Sequence, residues 1–282
     1  MVEGSAAAAR LLLYIGCLVA LGRGVVVFLD PAWKAGGRSV FDAPGPRWLS
    51  RIAALALVAA PLLLLQGQLA ALEMVQADVP ALLADTSWGR GWGVLAVASV
   101  LASVALVLPA ARGTALPQLL TAIGVAVTLG GLGHAAADEH WPVLARVFDA
   151  VHTVAVGAWI GGLLVTLLIT RVPVFSLRDL AWRTFSRTAT VAAPVALLTG
   201  VLSGARLLRS ANVNTVAASD YGRLLALKTA LVLVVLAIGA AQRRRIARGA
   251  QPETARVWTE VGMAAAVLLV TAVLTGTEPP GE

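Results

Sequence analysis

The sequence predicts an all-helical integral membrane protein, a bundle that crosses the bilayer eight times. Hydrophobic residues make up 59% of the 282 residues and charged residues only 13%, and the mean hydropathy is +0.84. A soluble domain carries about a quarter charged residues, so much of this surface must face lipid. The apolar residues form long runs without alternating polarity, which is typical of membrane helices and not of the strands of a membrane barrel.

Eight apolar runs have the length that a helix needs to cross the membrane. About 20 residues span the roughly 30 Å of hydrocarbon in a bilayer. We number the predicted crossings one to eight in chain order. They are Leu11–Phe28, Ile52–Leu72, Trp92–Leu108, Leu116–Leu132, Val147–Thr170, Ala189–Leu208, Leu224–Ala241 and Val257–Thr275.

Charged residues distinguish the two sides of the predicted membrane. The segments after crossings one, five and seven are basic, with Lys34, Arg38, Arg47, Arg51, Arg171, Arg178, Arg183, Arg187, Arg243, Arg244, Arg245, Arg248 and Arg256. The alternate segments are poorer in Lys and Arg and hold Glu73, Asp78, Asp85, Asp138 and Glu139. Basic segments stay in the cytoplasm, so we expect both termini outside. The net charge of +7 thus indicates orientation in the membrane and not binding of nucleic acid.

The two halves of the chain repeat each other at a nearly constant offset of 133 to 136 positions. The repeated pairs are Arg47–Arg51 with Arg183–Arg187, Ala59–Pro61 with Ala192–Pro194, and Trp88–Arg90 with Tyr221–Arg223. We therefore predict two four-helix domains, residues 1–140 and 141–282, in a parallel repeat about an axis along the membrane normal. Chance similarity in a sequence rich in Ala and Leu is the alternative.

The three histidines lie toward the predicted outer face, where a cation would arrive. His134 ends crossing four, His140 follows in the loop, and His152 lies within the first two turns of crossing five. An ionisable group inside a span is costly and indicates a functional site, so His152 is the strongest candidate metal ligand, together with His134 or His140. Neutral imidazole binds copper, zinc, iron and nickel. For His134 and His140, solvated loop residues are the alternative.

Other side chains accompany this candidate metal site as supporting residues: Asp149, Trp159, Tyr221, Lys228, Met74 and Glu73. Asp149 lies three residues before His152 and shares its helical face. The alternative for Lys228 is snorkelling to the outer interface, and for Tyr221 it is anchoring at that interface. We also expect Arg23 to snorkel at the cytoplasmic side. With only Cys17 and three methionines, the chain has no disulfide and no sulfur-lined metal pathway.

Several segments of the second half resemble the copper resistance protein D (CopD/PcoD) family over about residues 146–245. The resemblance rests on His-x6-Trp-x-Gly-Gly from His152 to Gly162, on Phe185–Arg187, on Thr199-Gly200, and on Tyr-Gly-x-x-Leu-x-x-Lys from Tyr221 to Lys228. It implies a bacterial inner-membrane protein, not an enzyme, that moves copper from periplasm to cytoplasm. It also implies roles for His152, Trp159, Tyr221 and Lys228, and a periplasmic copper-binding protein as partner beside the lipid bilayer.

The leading hypothesis is therefore a copper permease with an outward-facing histidine site at the seam between the halves. The oxidation state of the copper ion is left open. A b-type haem or electron-transfer protein, with His152 and His134 as axial ligands, is one alternative. A non-transporting assembly partner for periplasmic copper proteins is another. The sequence has no P-loop, Gly-x-Ser-x-Gly, His-Glu-x-x-His or Cys-x-x-Cys pattern, which makes an ATP-driven pump or a membrane metalloprotease improbable.

Overall fold

The structure is a computed structural model that describes residues 2–29, 44–109, 112–130, 141–171, 178–209 and 212–277. Within these ranges the secondary structure is helical, without strands. The helices are α1 Val2–Phe28, α2 Pro44–Ala71, α3 Val79–Asp85, α4 Ser87–Val107, α5 Arg112–Leu129, α6 Pro142–Val156, α7 Gly162–Ile169, α8 Arg178–Leu207, α9 Val213–Ala218, α10 Asp220–Ala247 and α11 Thr254–Leu274. A 3₁₀ turn, Gln76–Asp78, precedes α3, and a π-helical turn, Gly157–Gly161, joins α6 to α7.

The polytopic helical bundle predicted from the sequence is confirmed. Seven described helices are long and apolar enough to cross a bilayer: Ser5–Phe28, Arg47–Ala71, Ser87–Val107, Pro142–Ile169, Arg178–Leu207, Asp220–Ala247 and Thr254–Leu274. An eighth apolar helix, Gly113–Leu129, is shorter. Each helix coincides with one predicted crossing. Large apolar side chains cover their outer surfaces, for example Leu55, which is 70% exposed, and Val191, which is 66% exposed.

The crossings formed by α2 and α8, like that formed by α1, begin well before the apolar runs predicted. The helix α2 begins at Pro44 and α8 at Arg178, whereas the apolar runs begin at Ile52 and Ala189. The added turns carry the arginines of the predicted cytoplasmic segments. Hydropathy detects only the residues inside the hydrocarbon, while a helix continues through the interface, where long Arg side chains reach water.

The first four crossings form a closed bundle, and α1 also joins it to the second half. The helix α1 packs against α2 and α5, and α4 packs against α2 and α5 from the other side. Leu21, Leu57 and Leu95 are fully buried in the core of this bundle. The opposite side of α1 contacts the π turn, α7 and α11. In the second half α6 packs against α8, and α10 packs against α11 and α8.

Both halves have the same local structure ahead of their third crossing, where α3 precedes α4 and α9 precedes α10. The Thr86 hydroxyl accepts a hydrogen bond from Gly89 N–H at 2.9 Å, and the Ser219 hydroxyl accepts one from Gly222 N–H at 3.0 Å. A Cβ on Gly89 or Gly222 would lie 2.2 or 1.9 Å from a carbonyl oxygen of the short helix, so both positions require glycine. This shared local structure agrees with the sequence repeat around Trp88 and Tyr221. The duplication of the two halves of the chain stays a prediction.

Arg23 is buried, with 5% of its surface exposed. Its Nη2 donates a hydrogen bond to the Leu108 carbonyl at 3.2 Å, just beyond the end of α4. The last carbonyls of a helix lack partners within the helix and favour positive charge. The snorkelling expected for Arg23 is therefore wrong, because the side chain caps a neighbouring helix instead. Cys17 is fully buried in the first bundle.

The backbones of α1 and the π turn approach each other so closely that glycine is required. A Cβ on Gly22 would lie 2.1 Å from the carbonyl carbon of Gly161, and a Cβ on Gly161 would lie 1.9 Å from the Leu18 carbonyl oxygen. Real Cβ atoms do not approach backbone atoms this closely. Any larger residue at Gly22 or Gly161 must therefore separate α1 from the second half.

Gly161→Ala should reduce the stability of the detergent-purified protein by about 2 kcal/mol or more, since overpacking a rigid contact carries such a cost. Thermal unfolding followed by circular dichroism measures it. Gly124→Ala is the matched control, because a Cβ at Gly124 meets nothing within 4 Å and alanine favours a helix interior by about 1 kcal/mol. Equal stability of Gly161→Ala and the wild-type protein would contradict the close contact.

Candidate metal site around His152

His152 lies inside the membrane span formed by α6, the π turn and α7. It is ten residues beyond the first residue of the span, Pro142, or about 15 Å by helical rise. Its ring reaches from α6 to α8, where Nδ1 lies 2.9 Å from the Ala196 carbonyl oxygen and 3.2 Å from the Thr199 hydroxyl. The imidazole thus joins two helices of the second half.

Gly200 provides the space that the imidazole occupies. A Cβ at Gly200 would lie 3.1 Å from Cε1 and 3.5 Å from Nδ1 of His152. Such a contact is tighter than nearly all real Cβ contacts, so even alanine would displace the ring. Thr199 therefore supplies a polar contact to the His152 ring, and the adjacent Gly200 leaves the space that the ring occupies.

The hydrogen bonds of His152 determine which ring nitrogen carries the proton. The Ala196 carbonyl can only accept, so Nδ1 must donate. The Thr199 hydroxyl also faces Nδ1 with a lone pair, because it donates its own hydrogen to the Val195 carbonyl at 2.7 Å. With the proton on Nδ1, the neutral ring keeps a lone pair on Nε2. Among the described residues nothing hydrogen-bonds to Nε2. Metal-binding imidazoles are oriented in this way, by a hydrogen bond from the other ring nitrogen.

Charged and hydroxyl side chains surround this imidazole on the predicted outer side. Ser203 donates a hydrogen bond to Asp149 Oδ1 at 3.1 Å. Lys228 of α10 is close enough to both Asp149 and His152 to interact with them electrostatically. A role for Lys228 at the site stays a prediction. We refer to Asp149, His152, Thr199, Ser203 and Lys228 as the His152 group.

The helices α1 and α11 border the His152 group at the same end of the bundle. The Tyr14 hydroxyl of α1 donates a hydrogen bond to Thr275 Oγ1 at 3.3 Å and interacts electrostatically with Asp149. Sequence reasoning missed Tyr14, Thr199 and Ser203. The signal for the last two was present, since hydroxyl residues four apart inside an apolar run share one helical face.

Two aromatic residues of the predicted site are buried in the protein. Trp159 lies in the π turn, 7% exposed, and packs with Ala192, Ala193 and Val235, between the His152 group and α7 along the span. Tyr221, near the start of α10, is 3% exposed. The interfacial anchoring considered for Tyr221 is therefore wrong, because its ring packs against protein and not against the lipid headgroups.

The remaining predicted residues do not join the His152 group within the described part of the chain. His134 and His140 lie outside the described residues. Glu73 is exposed in the turn after α2, at a backbone φ of 54°, and Met74 is half-buried beside it. Neither Glu73 nor Met74 hydrogen-bonds to a described residue of the group. In the described ranges, no three His, Cys, Asp or Glu side chains come together as a metal site.

Comparison with known proteins gives one match. Residues 180–276 match the family model described as Copper resistance protein D. The match covers about a third of the chain and includes Thr199, Ser203, Tyr221 and Lys228, whereas His152 lies before it. The resemblance noted in the sequence had placed the segment at about 146–245, so the match begins later and extends further. No curated protein and no solved structure matches the chain.

Nitrogen NMR of ¹⁵N-histidine-labelled, metal-free protein should show His152 as the neutral ring with its proton on Nδ1. His152→Gln identifies the signal among those of the three histidines. Thr199→Val should keep the same tautomer, because the Ala196 carbonyl still accepts. A proton on Nε2, or on both nitrogens, would contradict the hydrogen bonding described for the ring.

Proposed function

We propose that the chain is a permease that moves copper from periplasm to cytoplasm, because residues 180–276 match the family model described as Copper resistance protein D. The match supports a copper-resistance membrane protein, and the apolar helices support a multi-pass protein of the inner membrane. In the proposed mechanism, Nε2 of His152 is the first copper ligand of an outward-facing site. His134 or His140 provides the second ligand.

The observation that carries the proposal is the fixed orientation of the His152 ring. A free imidazole would lose rotational freedom on binding a metal ion, whereas this ring is already held by the Ala196 carbonyl. The carboxylate of Asp149, one turn toward the outer end, attracts a cation to the same place. Imidazole nitrogen is a suitable ligand for copper, and the sparse sulfur of this chain favours nitrogen over thioether ligands.

The path proposed for copper follows the boundary between α1 and the second half. Tyr14 of α1 borders the His152 group, and the π turn lies immediately beyond it along the same span. Turns of this type occur often at functional sites, because they interrupt the regular hydrogen bonding of a helix. Trp159 lies in this turn, seven residues beyond His152, the first ligand. We propose that its ring restricts the passage of copper.

We assign the outer side from the ends of α8 and α10. Thr199 and Ser203 lie in the last turns of α8, and Lys228 lies in the first half of α10. At this end each helix carries one arginine, Arg206 on α8 and Arg223 on α10, whereas the opposite ends carry three each: Arg178, Arg183 and Arg187 on α8, and Arg243, Arg244 and Arg245 on α10. Because basic ends stay in the cytoplasm, the His152 group lies in the periplasmic half, and both termini are periplasmic.

His152→Gln should lower the copper content of cells expressing the protein, measured by mass spectrometry against the empty vector. Loss of a ligand or its support reduces metal affinity by about tenfold or more, and uptake should fall accordingly. Val151→Ala is the matched control, because the neighbouring Val151 side chain is 40% exposed and points away from the group. Unchanged uptake in His152→Gln would remove this residue from the mechanism.

The same preparations distinguish the other two functions. Purified wild-type protein that binds copper but does not move it into vesicles would indicate an assembly partner for periplasmic copper proteins. A Soret band in the purified protein would indicate a b-type haem protein. The permease requires both copper binding and uptake that depend on His152.

Alkaline phosphatase fused to the C-terminus should be active, because this reporter needs the disulfides that form in the periplasm. The same reporter inserted at Gly249, between α10 and α11, should be inactive. Gly249 follows the arginines at the end of α10 and adopts a φ of 79°, so it lies in a turn that accepts an insertion. The reverse pattern of activity would contradict the assigned orientation.

A further inference from the structure

Apart from Arg23 and the His152 group, another ionisable side chain lies inside a membrane-spanning helix, toward the opposite end of the bundle from the His152 group. Glu260 of α11 is only 2% exposed. It lies six residues beyond Thr254, where the helix begins, which is about 9 Å into the span by helical rise. Among the described residues, the structure gives its carboxyl group no hydrogen bond and no ion pair.

The carboxyl group of Glu260 faces a gap in α10. A Cβ at Gly239 would lie 3.0 Å from Oε1 and 3.7 Å from Cδ of Glu260. An alanine at this position would require the carboxyl group to move by a few tenths of an ångström. The buried neighbours Val235 and Ala264 are apolar, so the group lies between two closely packed helices without polar contacts from these residues.

The other described charged side chains at this end of the bundle do not form ion pairs with Glu260. Arg256 forms an ion pair with Glu253 at 2.9 Å, and Arg171, after α7, stacks over the Trp258 ring at 5.4 Å. From α1, Arg23 donates to the Leu108 carbonyl. The other charges that the packed helices carry near this end are Arg178, Asp179, Arg183 and Arg187 on α8, and Arg243, Arg244 and Arg245 on α10. None of these described groups forms an ion pair with Glu260.

An ionised carboxylate without a partner is very unfavourable in an apolar interior, so burial favours the protonated, uncharged acid. Ionisable residues inside membrane spans are rare and occur in proton relays and transport pathways. Glu260 lies near the cytoplasmic end, within two turns of the water that solvates the arginines. A proton can therefore leave and return when the α10–α11 contact opens.

We propose that Glu260 is a proton-binding site and that its reversible protonation links copper movement to the proton gradient. The proposal rests on the permease function proposed above and supplies the energy coupling for it. The His152 group binds the metal ion in the periplasmic half, and Glu260 binds the proton in the cytoplasmic half. The helix α10 carries both Lys228 and Gly239, so it connects the two sites mechanically.

The experiment uses wild-type protein in liposomes with a copper-sensitive dye and a pH-sensitive dye inside. If one proton moves per copper ion, a gradient of one pH unit should change the copper accumulation ratio about tenfold. Copper addition should also change the internal pH. Glu260→Gln, which keeps the shape of the neutral acid, should still take up copper but lose both effects. Full gradient dependence in Glu260→Gln would overturn the proposal.

Glu253→Gln is the matched control, because Glu253 is a carboxylate at the same end of α11 that is exposed and paired with Arg256. It should retain both effects. Infrared spectroscopy gives a readout that does not need transport: a carboxylic acid band should titrate with pH in the wild-type protein and be absent in Glu260→Gln. If the wild-type protein moves no copper, the permease function fails, and the infrared titration alone decides the proton site. A band that is unchanged by Glu260→Gln overturns that site.

Discussion

The organisation of this protein depends on how polar groups obtain partners where the surroundings are lipid. In hydrocarbon, water cannot satisfy a hydrogen-bonding group, so the partner must be another part of the protein. The Ser103 hydroxyl donates to the Ala54 carbonyl at 3.0 Å, and the Trp92 indole donates to the Pro61 carbonyl at 2.7 Å. Arg23 caps α4 in the same way. Each contact joins two helices, so the polar side chains position the apolar bundle.

His152 and Glu260, the two ionisable groups of the proposed mechanism, differ in which of their polar atoms lack a hydrogen-bond partner among the described residues. In His152 one nitrogen is held and the other has a lone pair, which fits a ligand for a metal cation. The carboxyl group of Glu260 on α11 faces Gly239 of α10 and forms no hydrogen bond with a described residue, which fits a site that binds a proton. In the proposed mechanism, His152 binds the metal ion from the outer side and Glu260 exchanges a proton with the inner side.

The sequence predicted the crossings well because hydropathy is a local property of consecutive residues. It did not predict the starts of α2 and α8, since arginine-rich helical turns outside the hydrocarbon have no apolar signal. The partners of His152 were also missed, because Ala196 is 44 residues away in the chain and contributes a carbonyl that every residue possesses. Arg23 and Tyr221 were misjudged for a related reason, since position along a helix does not determine whether a face meets lipid or another helix.

The two predicted halves differ at the positions that carry the proposed chemistry. At the offset of 133 residues, Lys228 corresponds to Leu95 and Glu260 to Val127. Leu95 is fully buried in the closed first bundle, and Val127 is 53% exposed. If the halves arose by duplication, the first half became the apolar support and the second half acquired the ionisable groups. The location of the family match, entirely in the second half, agrees with this division of roles. The close contact of α1 with the π turn would then join the apolar support to the half that carries these groups.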